Sequence, residues 1–208
     1  MKVLLLNGSS RTNGCTYTAL EEITKVLKEE QIECEIVHIG NQPIRDCIGC
    51  NKCGDLHNAC VFEDDSINEL LKKAESADGF IFGTPVYYAH PSGRLLSVLD
   101  RLFYAGSGVF RHKPAAAIAS ARRAGTTASI DVLNKYFTIA EMPVVSSTYW
   151  NMVHGSTPED VKKDLEGLQT MRNIGKNMAW LLKCIQLGKK HGIGIPKTEK
   201  AVWTNFIR

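Results

Sequence analysis

The chain alternates between short, wholly apolar runs and longer amphipathic ones, and that rhythm restricts it to very few folds. Lys2–Asn7 and Gly79–Thr84 are apolar along most of their length, and Ala115–Ser120 is built of small residues. Between such runs, apolar residues recur at helical spacing. Thr16–Glu30 carries Leu20, Ile23, Val26 and Leu27; Ile67–Ala77 carries Ile67, Leu70, Leu71 and Ala74; Ser92–Tyr104 carries Leu95, Leu96, Leu99 and Leu102. Strands apolar on both faces need cover on both faces, which predicts a parallel sheet between two helical layers. Glu33–Ile39 reads as the second strand and Pro143–Ser146 as the fifth, with further helices over Thr126–Ala140 and from Pro158 to about Leu187. The expectation is an α/β fold: a doubly wound five-stranded parallel sheet in the order 2-1-3-4-5, with helices on both faces.

The 208 residues give room for one domain. It is expected over residues 1–187, including a cysteine-rich loop at 47–60; residues 188–208 form a basic tail suited to oligomer contacts. Asp65 or Ser66 is the expected cap of the helix beginning at Ile67, and Pro158 sits where the first turn of the last helix should be. The net charge of +3 is too mild for a nucleic-acid partner and suits a phosphorylated cofactor. Only four apolar residues separate Lys2 from Asn7, against roughly 7–15 in a secretory leader, and no run nears the ~20 of a membrane span. A cytoplasmic protein without membrane insertion is expected.

The first strand leads into Gly8-Ser9-Ser10-Arg11-Thr12-Asn13-Gly14-Cys15-Thr16, which opens a helix. Helix N-termini present unpaired N–H groups and partial positive charge, a seat for phosphate. Ser9, Asn13, Gly14, Cys15 and Thr16 can offer hydroxyl or backbone donors, and Arg11 a bidentate one. Neither a Walker loop nor Gly-x-Gly-x-x-Gly is present, so the loop suits one terminal phosphate, such as that of FMN. The loop after the third strand holds Pro85, Val86, Tyr87 and Tyr88, whose rings and backbone N–H groups could face a flavin. The loop after the fourth holds Ala121, Arg122, Arg123 and Gly125; its arginines could stabilise a reduced flavin or contact the phosphates of a nicotinamide cofactor. His90 and His154 are candidate proton donors, with an ordinary surface histidine as the plainer reading of each.

Four of the seven cysteines, Cys47, Cys50, Cys53 and Cys60, follow a C-x2-C-x2-C-x6-C spacing. Four thiolates on one compact loop suit a [4Fe–4S] cluster better than zinc, whose four-cysteine sites usually draw on two separated pairs. Without a cluster, the same thiols could form reversible disulfides or a structural hairpin. Cys34 and Cys184 sit at apolar positions of a strand and a helix, where buried free cysteine is common.

Gly8-Ser9-Ser10-Arg11-x-x-Gly-x-Thr16, the stretch from Gly83-Thr84-Pro85-Val86-Tyr87-Tyr88 through Asp100-Arg101, and Tyr149-Trp150-Asn151-Met152-Val153-His154-Gly155 together resemble the NAD(P)H-dependent FMN reductase group of the flavodoxin-like superfamily. The resemblance covers about the first 155 residues and is nearest to the iron–sulfur flavoprotein branch, whose cysteine spacing is similar. It implies bound FMN and an oxidoreductase passing electrons from NAD(P)H or a reduced protein donor to a small-molecule or protein acceptor. It also implies homodimers or homotetramers that meet near the flavin. The rival expectation is an electron carrier that relays between a [4Fe–4S] cluster and FMN with no small-molecule substrate of its own. A cofactor-free module built around a redox-active cysteine loop is the third.

Overall fold

The computed structural model describes residues 1–199, 202 and 204. Trp203 and Phe206, and the ending from Asn205 to Arg208, lie outside the described residues. The parallel sheet is formed by β1 (Lys2–Asn7), β2 (Glu33–His38), β3 (Gly79–Tyr87), β5 (Ala115–Ala121) and β6 (Met152–His154), in the spatial order β2-β1-β3-β5-β6. A two-residue β4 (His90–Pro91) pairs antiparallel with the end of β3, so the sheet has six strands where five were expected. Leaving out that hairpin, the order is the expected 2-1-3-4-5.

Alternation along each strand divides the core into two layers. Leu4, Leu6, Phe80 and Phe82 point to one face, against α2 (Ile67–Glu75), α3 (Gly93–Ala105) and α5 (Thr126–Ile139). Val3, Leu5, Ile81 and Ile118 point to the other, against α1 (Cys15–Glu29) and α7 (Leu165–Lys190). The small side chains of β5 leave room on the first face for a ring cluster in which Phe82 stacks on Phe137 at 5.2 Å and Phe103 on Phe110 at 4.5 Å. Phe110 comes from the short α4 (Ser107–Phe110), which no sequence pattern announced.

Three expectations change. Pro143–Ser146 is not a strand: its only ladder contact is a bridge from Val144 to Ala115, and the last parallel strand is β6. β3 continues past Thr84, so Pro85, Val86 and Tyr87 are strand residues and not loop. Pairing of β3 with β1 stops at Gly83, which frees one side of the strand, where a proline without an N–H is tolerated. The last helix is two helices. Thr157 caps α6 (Pro158–Lys163) in a reciprocal capping box with Asp160, and the chain then breaks at Asp164. The Asp164 carboxylate accepts from the Gly167 N–H (2.9 Å), starting α7, and from the His154 N–H of β6 (2.7 Å). α7 passes Gly188 and ends at Lys190. At α2, Ser66 makes no side-chain cap; the Asp65 carboxylate accepts from the Ile67 N–H at 3.1 Å. Among the described residues no helix is long and apolar enough to cross a membrane.

Candidate active site

At the carboxyl ends of the central strands, four chain segments meet around a pocket of about 310 Å³. Open α/β sheets bind ligands at this edge. Buried Asn7 shapes the first segment. Its side-chain amide donates to the Thr12 carbonyl (3.0 Å), and its amide oxygen accepts from the Ser9 N–H (3.1 Å). The Ser9 hydroxyl in turn accepts from the Arg11 N–H (3.0 Å), and His38 of β2 bonds the Ser9 carbonyl through Nε2 (2.8 Å). Gly8 lies so close to β3 that its N–H donates to the Gly83 carbonyl at 2.8 Å, and a Cβ there would stand 2.7 Å from that oxygen. Glycine is therefore required by proximity.

The loop ends at Gly14, which begins α1 without a capping side chain and with no acidic residue in the first turn. The first N–H groups of the helix have no intrahelical partner and carry its positive dipole end. Arg11 and Arg122 stand at the rim, and among the described residues no carboxylate lines the pocket. Thr16, buried, shares a 2.8 Å hydrogen bond with Ser120 at the end of β5. Chemically, this arrangement can receive an anion at one end and a flat ring system at the other.

Of the residues expected here, Ser9, Arg11, Cys15 and Thr16 line the pocket from the first segment. Pro85, Val86 and Tyr87 line it from the second, and Ala121 and Arg122 from the third. Asn13 is exposed beside the pocket, and Gly14 is buried beneath it at the helix start. Tyr88 is fully exposed on the β3–β4 turn, where it and Ala89 both adopt positive φ (51° and 59°). Arg123 points to solvent. Gly125 acts as a buttress: at φ +93° it lies against the turn, and a Cβ would come within 2.5 Å of the Ala89 Cα.

Ser10, Ser120, Gly155 and Ser156 also line the pocket and were not among the expected cofactor residues. The signal for Gly155 was present, since it ends the Tyr149–Gly155 motif, but nothing in spacing told that this motif returns beside the first loop. Its carbonyl accepts from the Cys15 thiol at 3.6 Å. Burial pushes the Cys15 thiol up, and the Cys34 thiol up to about 11, so both remain protonated and serve as packing groups. Cys184, expected to be buried, is instead exposed on α7, because it falls on the side of the helix turned away from the core. His90 is exposed on β4 and His154 is half-buried on β6; neither lines the pocket.

A second site lies on the α2–α3 face. Cys47, Cys50, Cys53 and Cys60 all border one small pocket of about 20 Å³, with Phe62, Arg101 and Tyr104. All seven cysteines are free thiols. Among the described residues, no three histidine, cysteine or carboxylate side chains are drawn together tightly enough to hold a single metal ion. The four cysteines instead surround a shared space. A 3-10 turn over Lys52–Gly54 and left-handed Gly49 and Asn51 fold the loop back on itself.

Comparison with known proteins gives four findings. The family described as NADPH-dependent FMN reductase matches residues 1–157. An iron-sulfur flavoprotein of Methanocaldococcus jannaschii is 35% identical over 194 residues, covering 89% of this chain and 100% of that protein. An FMN-dependent NADPH-azoreductase of Staphylococcus aureus is 30% identical over 117 residues, 55% of this chain and 57% of that protein. Among solved structures, RosB with a bound 8-demethyl-8-formylriboflavin-5'-phosphate superposes with a TM-score of 0.67 at 16% identity, over 100% of this chain and 94% of that one, a likeness of fold.

Proposed function

The chain belongs to the NADPH-dependent FMN reductase family, and on that premise we propose that it is an oxidoreductase carrying FMN in the pocket at the carboxyl end of its sheet. One observation supports the placement: an uncapped helix N-terminus and two arginines, with no carboxylate among the described residues, around about 310 Å³ at the switch point of the sheet. Arg11, the Ser9 and Thr16 hydroxyls and the first-turn N–H groups of α1 hold the phosphate. Pro85, Val86 and Tyr87 form one wall for the ring; Ala121 and Arg122 form the other, with the guanidinium set to favour negative charge on the ring edge. When bound, FMN supplies hydride acceptance and one-electron release. NAD(P)H or a reduced protein is the donor, and a small molecule or protein the acceptor.

A second group is supported by the cysteine pocket and by the name of the Methanocaldococcus relative. Cys47, Cys50, Cys53 and Cys60 ligate a [4Fe–4S] cluster, which supplies single-electron exchange. The protein is then a converter between one- and two-electron carriers. Assembly as a homodimer or homotetramer is supported by Tyr88, fully exposed on a turn beside the flavin pocket. Light scattering of the purified protein tests it.

The deciding experiment is an anaerobic purification followed by an absorption spectrum, iron and sulfide assays, and NADPH oxidation kinetics. Flavin bands, iron near four per chain and steady NADPH turnover are expected. Flavin without iron leaves the reductase and removes the cluster. A colourless protein that binds no added FMN overturns the reading.

A further inference from the structure

Cys60 is held differently from the other three cysteines of its loop. Its N–H donates to the Asn68 side-chain oxygen of α2 (2.7 Å), and its carbonyl accepts from the Asn68 amide (3.0 Å). Its sulfur accepts from Nε of Arg101 on α3 at 3.3 Å. Arg101 is, among the described residues, the largest side chain that is buried almost completely, at 1% exposure. Its two terminal nitrogens pair with the Asp65 carboxylate, which is also buried, one at 3.1 Å. The same guanidinium lies 5.2 Å from the Phe62 ring and reaches the Arg45 carbonyl ahead of the loop (3.4 Å). One buried cation thus joins Arg45, two residues before Cys47, to the last cysteine and the start of α2.

An arginine is seldom buried only to fold a loop, because the ion pair recovers little of the desolvation it incurs. Two of its three nitrogens are neutralised by Asp65. The third is left to a sulfur, a weak acceptor unless it is a thiolate or a metal-bound sulfide ligand.

We propose that Arg101 is a positioning residue for the cluster: it fixes the Cys60 sulfur toward the shared pocket and tunes the reduction potential by an N–H···S hydrogen bond, with Asp65 as the counter-charge that limits the effect. This rests on the reading of Cys47, Cys50, Cys53 and Cys60 as cluster ligands. Hydrogen bonds to ligand sulfurs withdraw negative charge and raise the potential. Removing the donor lowers the potential; removing the counter-charge while the donor stays raises it.

The test uses the anaerobically reconstituted full chain, with cluster and flavin potentials measured together and iron and flavin counted. Arg101→Met combined with Asp65→Asn removes both charges at similar volume, so the fold has no orphaned buried ion. This double variant is expected to shift the cluster potential down while the flavin potential and content stay unchanged. Asp65→Asn alone is expected to shift it up. Opposite shifts are a signature that a merely structural pair does not produce. Loss of iron from the double variant with full flavin retained also supports the proposal. A wild-type potential in the double variant, equal shifts in both, or joint loss of iron and flavin overturns it and leaves the cluster standing. A wild-type chain that takes up no iron overturns both.

Discussion

The hydroxyls of Thr16 and Ser120 meet at 2.8 Å under the pocket at the carboxyl edge of the sheet, tying the first turn of α1 to the end of β5 across 104 residues of sequence. Both are buried, and each is the other's hydrogen-bond partner. Ser120→Ala orphans the Thr16 hydroxyl and is expected to destabilise the fold by about 1–3 kcal/mol. Urea unfolding of the flavin-free chain measures it. The double variant Thr16→Val/Ser120→Ala, which removes both polar groups, should recover part of that loss; a double variant as weak as the sum of the two singles contradicts the pairing.

Arg11 faces the pocket beside the uncapped start of α1. Arg11→Ala is expected to weaken FMN binding by about 1.5–3 kcal/mol, roughly 10- to 100-fold. Riboflavin, which lacks the phosphate, should bind both proteins alike. Fluorescence titration of the two flavins separates a phosphate contact from a general disturbance, since an equal loss for both counts against the assignment.

Gly125→Ala places a Cβ 2.5 Å from the Ala89 Cα at a φ of +93°. The turn must shift and the backbone strains, together about 1–3 kcal/mol. Because the same Cβ would also come within 2.8 Å of Val86 Cγ1, on one wall of the pocket, FMN affinity should fall along with the melting temperature. An unaltered affinity would mean that the turn does not touch the ring.

Glu35 bridges β1 and α2. The hydrogen bond from Lys2, then that from Lys73, hold its carboxyl below the ordinary glutamate range. A depressed carboxyl contributes stability that is complete above its unfolded value and lost as the pH falls through its folded one. The contribution should therefore fade below about pH 4.3. Glu35→Gln is expected to lower stability at neutral pH and to flatten its decline in acid. Chemical denaturation at several pH values compares the slopes; parallel curves for the two proteins rule the linkage out.

The strand–helix rhythm was legible because β1, β3 and β5 are covered on both faces, and full cover leaves a continuous apolar signature. β6 was not, since three residues are too few to show a period and its place depends on a ladder with Ala119–Ala121 far earlier in the chain. The break at Asp164 was invisible for a related reason: its carboxylate caps α7 while also holding β6, a tertiary demand on what reads as a helical residue. The first loop announced itself by composition. Ser120, Gly155 and Ser156 reach the same pocket only through topology, and Arg101, though it ends a motif of the resemblance, gave no sign in sequence that it is buried against Asp65 and Cys60.

α3 begins at Ser92, whose hydroxyl donates to the Gly8 carbonyl (2.9 Å) and whose N–H donates to the Thr84 hydroxyl (3.0 Å), both on the flavin side. Nine residues later the same helix presents Arg101 to the cysteine loop. The separation of the two regions is thus metered by helical rise, about 13 Å along the axis, and not by the slack of the connecting loops. The helix works as a ruler. Loops at either end can lengthen or change composition without altering the gap, whereas one residue inserted between Gly93 and Arg101 would turn Arg101 by about 100° and uncouple the two ends in a single step.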